Sequence, residues 1–473
     1  MNTSLLRATA FLLLGLFVPV LPVLAQSPSL KVSEDQRFLV TADGKPFFWL
    51  GDTAWELFHR LDREEAEIYL RNRAAKGFTV IQAVVLAELD GLNTPNAYGH
   101  RPLIDNDPAR PDVKEGPDND YWDHVDFIIE RAQELGIYVG LLPTWGDKWQ
   151  AVGGGTGPVV FNETNARVFG EWLGQRYREA PVIWILGGDR NIESDQDRRI
   201  IEAMARGLRA GDGGRNLITF HPRGPGMSSD YFHHADWLDF NLNQSSHGAR
   251  DHDNGLFTAH DYRLTPPKPT LDGEPRYEGI PVGFYMQGYS QALRFDDYDV
   301  RQAAYWSLLA GACGHTYGHN SVWQMWAPGR EPVIHADTPW HEALDHPGAF
   351  QMGHVRRLCE SRPFQQLVPD DGFIVDGPRT GGAKVRGARA ADGSFAFVYS
   401  SRGEPFSVRL GVVETSNVQS WWFDPRYGKS YPIYRAGNQG IQTFTPPSSG
   451  RGQDWILVLD DAQKNFPPPG ERP

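Results

Sequence analysis

Two acidic residues each follow a glycine at the end of a short stretch that we predict to be a strand. Asp189 comes after residues 182–188, and Glu274 comes after residues 269–273. A pair of carboxyl groups that face one cavity can hydrolyse an acetal, because one group can be protonated while the other is ionised. The residue types and their placement therefore predict Asp189 and Glu274 as a catalytic pair, provided that the fold brings them to the same opening.

Each acid also has a simpler interpretation. Arg190 follows Asp189 directly and Arg276 lies two residues after Glu274, so either carboxylate could serve only in an ion pair. The same arginines, with Asn191, could instead keep one acid ionised while burial and the neighbouring negative charge raise the pKa of the other. Two acids at corresponding positions, with polar residues after most of the other apolar stretches, favour the catalytic interpretation.

Polar and aromatic residues end several of the remaining apolar stretches, and we predict that they contact a substrate. A structural role stays open for some of them: core packing for Tyr285 and Trp323, and a buried, hydrogen-bonded state for His221 and His247. The predicted substrate contacts are Asp52, Trp55, Gln82, Trp145, Arg190, Asn191, His221, Gln244, His247, Arg276, Tyr285 and Trp323.

Two histidine clusters raise the alternative of a metal enzyme. Residues 233–236 read His-His-Ala-Asp, and residues 247–252 contain two histidines and an aspartate. Neither cluster has the spacing of a zinc or a non-haem iron site. A Gly-x-Ser-x-Gly motif in a strand–turn–helix context, which would indicate a serine hydrolase, is not found either. We therefore predict no metal site.

The elements that must hold these side chains alternate regularly. Eight apolar, strand-like stretches alternate with helical patterns between residues 29 and 360, which predicts an α/β fold of the (β/α)8 TIM barrel type. An open doubly wound sheet is the competing fold, but no glycine-rich phosphate-binding fingerprint follows the first strand. In a barrel the carboxyl ends of all strands meet at one mouth, where Asp189 would follow the fourth strand and Glu274 the seventh.

Three segments depart from this alternation. Residues 88–119, rich in Asn, Pro, Asp and Gly, form a long insertion that we expect on the active face of the barrel. Residues 364–461 contain short alternating strands separated by turn signals, which predicts a small all-β sandwich domain. We expect the proline-rich residues 462–473 to be disordered.

The amino-terminal residues indicate where the protein works, and the overall charge indicates which partners it can have. Residues 1–25 combine a positive charge at Arg7, an apolar stretch and a small-residue cleavage site, which predicts a signal peptide. We expect an exported protein, periplasmic or extracellular, that has no membrane segment after cleavage. A formal net charge of -13 argues against nucleic acid as a partner.

The chain has two cysteines, Cys313 and Cys359. We favour two buried free thiols, and a single disulfide bridge between them stays open as the alternative.

Four stretches resemble glycoside hydrolase family 140, the apiosidase-like group: residues 48–55, 187–191, 272–275 and 346–352. The resemblance covers residues 29–360. It implies a retaining glycosidase that needs no cofactor and removes apiose-linked side chains from the pectic polysaccharide rhamnogalacturonan-II. By motif, it implies that Asp189 is the acid/base and Glu274 the nucleophile.

Residues 364–461 are similar to the companion module of that family, which is labelled a collagen-binding domain. We expect this module to pack against the barrel and stabilise it rather than to bind collagen. Two alternatives to an apiosidase remain: a glycosidase of the same fold that acts on another pentoside, and a catalytically inactive secreted protein that binds carbohydrate or matrix. For an enzyme, the expected partner is an oligosaccharide or polysaccharide.

Overall fold

The computed structural model describes residues 28–151, 155–285, 290 and 292–471. The predicted signal peptide, residues 1–25, lies outside this range. The described chain begins with a small antiparallel sheet of three strands, β1 (Leu30–Val32), β2 (Leu39–Thr41) and β3 (Pro46–Phe47).

Eight parallel strands then form a barrel, which confirms the predicted fold class. Neighbouring strands in chain order are hydrogen-bonded from β4 to β8, and β12 pairs with both β4 and β11. The ring closes between β8 and β10, where the Asp239 N–H donates to the Ile218 carbonyl at 2.9 Å. The short strand β9 pairs antiparallel with β10. The strands are β4 (Trp49–Thr53), β5 (Val80–Leu86), β6 (Tyr138–Thr144), β7 (Val182–Gly187), β8 (Ile218–His221), β9 (Gly226–Met227), β10 (Asn241–Gln244), β11 (Thr270–Asp272) and β12 (Gly314–Tyr317).

The barrel strands consist of fully buried residues, as expected for parallel strands that are covered by helices on the outside and filled by side chains on the inside. The helices that connect them pack on the outer face of the sheet. They are α1 (Leu57–Arg60), α2 (Arg63–Lys76), α3 (Tyr121–Glu134), α4 (Glu163–Arg176), α5 (Asp195–Asp212), α6 (Ser229–Phe232), α7 (Gly255–Tyr262), α8 (Asp297–Leu308), α9 (Asn320–Trp323), α10 (Trp340–Ala343) and α11 (Pro347–Glu360).

The carboxyl-terminal part of the chain is an all-β sandwich. Six strands form one antiparallel sheet in the order β13-β15-β16-β21-β18-β19, and β14, β17 and β20 form the other. The strands are β13 (Leu367–Pro369), β14 (Ile374–Asp376), β15 (Val385–Ala390), β16 (Phe395–Ser400), β17 (Phe406–Arg409), β18 (Asn417–Asp424), β19 (Lys429–Gly437), β20 (Ile441–Phe444) and β21 (Trp455–Asp461).

The sandwich packs closely against the barrel. Buried side chains of β16 and β21 belong to the same apolar cluster as side chains of α8 and α11. Arg301 of α8 is buried and forms an ion pair with Asp454, which precedes β21, at 2.7 Å between Nη2 and Oδ1. The rings of Tyr305 and Tyr399 stack across the same interface at 4.9 Å. The two domains therefore share one continuous interior.

The expectation of disorder after residue 461 is wrong for residues 462–471. The Phe466 ring lies 4.8 Å from the Arg362 guanidinium, and the Gly470 N–H donates to Ser361 Oγ at 3.1 Å. These contacts fix the segment against the end of the last barrel helix, a context that composition alone does not reveal.

Both cysteines are buried free thiols. In the part of the chain that the structure describes, no helix has the length and apolar character needed to cross a bilayer.

Candidate active site

The turn after β7 presents the first acid. Gly187, Gly188 and Asp189 all have positive φ angles, of 98°, 83° and 59°. A Cβ atom on Gly187 would meet the carbonyl oxygen of His221, and one on Gly188 would lie 2.9 Å from the Gly146 nitrogen. Only glycine fits such a left-handed, close-packed backbone without strain, whereas aspartate tolerates the third position. The turn therefore directs Asp189 out of the strand and into the barrel mouth.

The second acid, Glu274, is held by hydrogen bonds from neighbouring strand ends. The Gly273 N–H donates to the Asn243 carbonyl at 2.8 Å, and the Glu274 carbonyl accepts from the Ser246 N–H at 3.1 Å. Gln82 Nε2 donates to the Gly273 carbonyl at 2.9 Å from across the barrel. These bonds fix the backbone beside a carboxylate that is itself buried.

One cavity of about 220 Å³ brings the two acids together. It opens at the carboxyl ends of the strands, which is the face where barrel enzymes carry their active sites. A larger cavity, about 700 Å³, lies at the other end, beside the residues that precede β8 and β10. There Arg209 is paired with Asp239 at 2.6 Å. The smaller cavity is lined by Asp189, Glu274, Gln244 and His247 among its polar residues and by Trp55, Trp145 and Trp323 among its aromatic ones.

Two histidines hold the Glu274 carboxylate. His247 Nε2 lies 3.1 Å from Oε1, and His221 Nε2 lies 3.0 Å from Oε2. An ionised carboxylate can only accept hydrogen bonds, so His247, which is hydrogen-bonded to it, presents Nε2–H. On its other side, His221 accepts a hydrogen bond at Nδ1 from the Asp189 N–H at 3.4 Å. Burial would raise the pKa of Glu274, but its contacts with His221 and His247 outweigh that effect and lower this pKa to about 2.

The environment of Asp189 acts in the opposite direction. Burial and the negative charge of Glu274 raise the pKa of Asp189 to about 6, against the weaker lowering effects of His221, Arg190 and Arg223. The two carboxyl groups therefore differ in pKa: in mildly acidic solution Glu274 is ionised, whereas Asp189 can hold a proton.

Aromatic rings form much of the remaining wall. The Trp55 and Trp145 ring centroids lie 5.2 Å apart with their planes at 51°, and the ring of His221 meets Trp55 edge-on at 5.5 Å. Trp323 lines the same cavity, and its Nε1–H donates to Asn320 Oδ1 at 3.3 Å. Flat apolar faces of this kind suit the C–H faces of a sugar ring.

Three of the predicted substrate contacts are structural instead. Asp52 is fully buried and bonded to Arg73 Nε and to the Tyr69 hydroxyl, both at 2.6 Å. Gln82 is fully buried beneath the cavity and bonds to the Gly273 carbonyl. Arg276 is buried against α8, with Nη1 3.2 Å from Gln302 Oε1. Asp52 and Arg276 point outward to the helices, whereas Gln82 points into the barrel interior below the cavity, and sequence position does not specify these directions or depths.

Arg190 and Asn191 lie behind the cavity wall. Arg190 is buried, donates to the Asp189 carbonyl at 2.7 Å and places Nη1 3.6 Å from its carboxylate. Asn191 Oδ1 accepts from the Arg223 N–H at 3.1 Å. They support the loops that carry cavity residues. The side chain of Tyr285 lies outside the described part of the structure.

Nine residues that line the cavity were not among the predicted contacts, and three of them carry titratable side chains. Glu88 begins the insertion after β5, Arg223 follows β8, and Tyr277 follows the Glu274 turn and packs its ring 4.4 Å from that of His247. The insertion was expected on the active face, so its first residue carried a usable signal. Arg223 and Tyr277 occupy loop positions whose side-chain direction the sequence does not show.

No cluster of three or more His, Cys, Asp or Glu residues suited to a metal ion occurs among the described residues. His233 contacts the Pro266 carbonyl and Asn241, while His247 bonds to Glu274. The two histidine clusters that raised the metal alternative thus lie apart, in different surroundings.

Two family models match the chain. Residues 33–366 match "Apiosidase-like, catalytic domain", and residues 368–460 match "Putative collagen-binding domain of a collagenase". No curated protein matches this sequence.

Solved structures agree with the first match. A structure described as a glycoside hydrolase is 34% identical, with a TM-score of 0.85, and the match covers 93% of this chain and 98% of that one. A glycoside hydrolase family 5 structure from Bacteroides vulgatus is 32% identical, also with a TM-score of 0.85, and the match covers 94% of this chain and 96% of the other. The chain is therefore a glycoside hydrolase that belongs to the apiosidase-like family.

Proposed function

We propose that this glycosidase is a retaining enzyme that removes apiosyl residues from side chains of a pectic polysaccharide, rhamnogalacturonan-II. The observation that carries the mechanistic part is the opposed acidity of two carboxyl groups in one cavity: the pKa of Glu274 is lowered to about 2 and that of Asp189 is raised to about 6. Retaining hydrolysis needs one ionised nucleophile and one protonated acid.

In the first step, a Glu274 oxygen attacks the anomeric carbon and the glycosidic C–O bond breaks, while Asp189 gives its proton to the departing oxygen. In the second, ionised Asp189 takes a proton from water, the water oxygen attacks the anomeric carbon, and the bond to Glu274 breaks. His221 and His247 lower the nucleophile's basicity, which helps it to leave again in the second step.

The cavity supports a small sugar as the bound unit. Its volume of about 220 Å³ is below the 300–1,000 Å³ typical of pockets for drug-sized ligands. Three tryptophans line it, so one sugar ring can bury its apolar faces there. A terminal pentose fits this description better than an internal segment of a polymer, and the apiosidase-like family match favours apiose among the pentoses.

The test is to incubate the purified protein with rhamnogalacturonan-II fragments and a panel of aryl pentosides and to identify the products. We expect free apiose, released first with the same anomeric configuration as the substrate. Release of another pentose would overturn the apiosyl assignment, release with inverted configuration would overturn the retaining mechanism, and binding without hydrolysis would favour a carbohydrate-binding role.

Two variants separate the roles of the acids. Asp189→Ala should hydrolyse apiosides with good leaving groups much better than those with poor ones, because a good leaving group departs without a proton. Glu274→Ala should lose both activities. Equal sensitivity of the two variants to the leaving group would contradict this assignment.

We also propose that the protein is exported, on the strength of the leader predicted for residues 1–25. Amino-terminal sequencing of the protein from its native host should find a chain that begins near Gln26 outside the cytoplasm. A cytoplasmic chain that retains these residues would contradict export.

A further inference from the structure

A third carboxyl group, that of Glu88, lines the cavity that holds Asp189 and Glu274. We propose that Glu88 binds a hydroxyl group of the sugar that occupies this cavity and so helps to select the substrate. The inference rests on the proposed function, because it concerns the substrate of that same site.

The backbone around Glu88 is firmly held. Its carbonyl accepts from Thr156 Oγ1 at 3.1 Å and lies 3.4 Å from Lys148 Nζ. The next residue, Leu89, donates its N–H to the buried carboxylate of Glu56 at 3.0 Å. The position of residue 88 is therefore fixed by the fold before any ligand binds, which reduces the entropy that a ligand contact would cost.

The side chain, in contrast, has no partner among the residues that the structure describes. No hydrogen bond or ion pair joins the Glu88 carboxyl group to any other residue in the described ranges. Arg60 is close enough to feel its charge, but that guanidinium donates to the Gln324 carbonyl at 2.7 Å and lies 3.9 Å from Glu56. Half-buried polar groups in proteins usually find a partner, so an unpaired carboxyl group that faces a cavity is suited to a ligand.

The charges around Glu88 indicate which ligand group fits. Burial and the negative charges of Asp189, Glu56, Asp147 and Glu274 raise the pKa of Glu88 well above its usual value. A protonated carboxyl group both donates and accepts a hydrogen bond, as a sugar hydroxyl does. A negatively charged group of the substrate at this position would be repelled by the nearby carboxylates. The environment therefore favours a neutral hydroxyl group as the partner of Glu88.

The experiment compares wild type, Glu88→Gln, Glu88→Ala and the control Glu115→Gln, an exposed glutamate of the same insertion. The probes are the aryl pentoside of the panel that the wild type hydrolyses best and its deoxy analogues, each lacking one hydroxyl group. Thermal unfolding of every variant checks that it is folded. For the intact probe, we expect kcat/KM to fall about 10- to 100-fold in Glu88→Ala. Glu88→Gln should lose less, because its amide also donates and accepts, and Glu115→Gln should match the wild type.

The deoxy series identifies a direct contact. On the analogue that lacks the contacted hydroxyl, the penalty of Glu88→Ala should shrink to about twofold or less, since wild type and variant then lack the same hydrogen bond. An equal penalty on every analogue would overturn the proposal and would assign Glu88 an effect on the charge of Asp189 instead. Unchanged kcat/KM in a folded Glu88→Ala variant would also overturn it while leaving the proposed function intact. If the wild type hydrolyses no pentoside, the proposed function fails and the Glu88 assignment fails with it.

Discussion

At the scale of single residues, the site uses one hydrogen-bonding pattern to make two carboxyl groups unlike. His221 contacts the Glu274 carboxylate through Nε2 and the Asp189 backbone through Nδ1. It therefore stabilises the ionised form of one acid and fixes the main chain of the other. Among the described residues, no pair of histidines contacts the Asp189 carboxylate in this way, so burial and the charge of Glu274 dominate its acidity.

This difference predicts the pH dependence of hydrolysis. Activity needs ionised Glu274, which is present above a pKa of about 2, and protonated Asp189, which is lost above a pKa of about 6. For a substrate with a poor leaving group, kcat/KM should therefore fall about tenfold per pH unit above pH 6. Initial rates between pH 4 and pH 9 measure this. An aryl substrate with a good leaving group is the control, because its rate should fall less; a plateau up to pH 8 with both substrates would contradict the acid role of Asp189.

Arg223 should affect the pH above which kcat/KM falls, which we call the alkaline limb of the pH profile. It is exposed at the edge of the cavity and is among the cations that lower the pKa of Asp189. Replacing it in Arg223→Gln removes a stabilising positive charge, so the pKa of Asp189 and the alkaline limb should rise, by about 0.3 pH unit for a charge roughly 10 Å away in a watery setting. The shift should shrink in 1 M salt. Arg215→Gln, exposed at the other end of the barrel, should leave the limb in place, and a downward shift in Arg223→Gln would refute the argument.

At the scale of elements, the turn after β7 determines where the proton donor lies. Three successive positive φ angles reverse the chain within Gly187–Asp189, between the backbones of β6 and β8. Strained backbone of this kind persists where the surrounding structure enforces it, and it is found most often at functional sites.

Gly187→Ala should therefore impair both stability and catalysis. A left-handed alanine costs about 1–2 kcal/mol, and the clash with the His221 carbonyl adds about 1–3 kcal/mol. Relief of the clash would move His221 and Asp189, so kcat/KM should fall more than unfolding accounts for. Gly136→Ala is the matched control: its φ is 74° but nothing lies within 4 Å of the new Cβ, so it should lose only the strain energy and keep its activity. Urea unfolding and kinetics on both variants distinguish these effects; equal losses in the two would contradict a special role for the turn.

The strands could be predicted well because their sequences are dictated by burial. Strands buried on both faces read as continuous apolar stretches, and the residue after each stretch falls at the barrel mouth. That reasoning placed Asp189, Glu274, Trp55 and Trp145 at the mouth, where they line the cavity. It failed for Asp52, whose side chain turns outward to Arg73, and for Gln82, which faces inward but lies below the cavity.

Loops were harder to predict for a related reason. Glu88 and Arg223 face the cavity because their backbones are bonded to Thr156 and Asn191, and neither bond leaves a local pattern in the sequence. The order of residues 462–471 likewise depends on contacts with Arg362 and Ser361, about a hundred residues earlier in the chain.

At the scale of the whole molecule, the sandwich covers apolar and charged side chains on the outer helices of the barrel domain. Helix α8 presents Arg301 and Tyr305 to the sandwich, and both are buried there against Asp454 and Tyr399. A barrel cut off before β13 would expose these side chains to water. This role agrees with a stabilising companion domain and requires no ligand on the sandwich itself.

The buried ion pair across this interface allows the contribution of the sandwich to the stability of the barrel to be measured. Asp454 accepts two hydrogen bonds from Arg301, at 2.7 and 3.0 Å, and one from the Tyr399 hydroxyl at 3.2 Å. Asp454→Asn leaves a buried guanidinium without its full countercharge, so the free energy of unfolding should fall by about 3–5 kcal/mol. Because the domains share one interior, calorimetry should still show a single transition for barrel and sandwich. Arg402→Gln breaks a partly exposed ion pair with Asp251 at the same interface and should cost about 1 kcal/mol or less. If Asp454→Asn instead splits the transition in two and leaves the barrel's own melting temperature unchanged, the sandwich is an independent domain, and the barrel does not depend on it for stability.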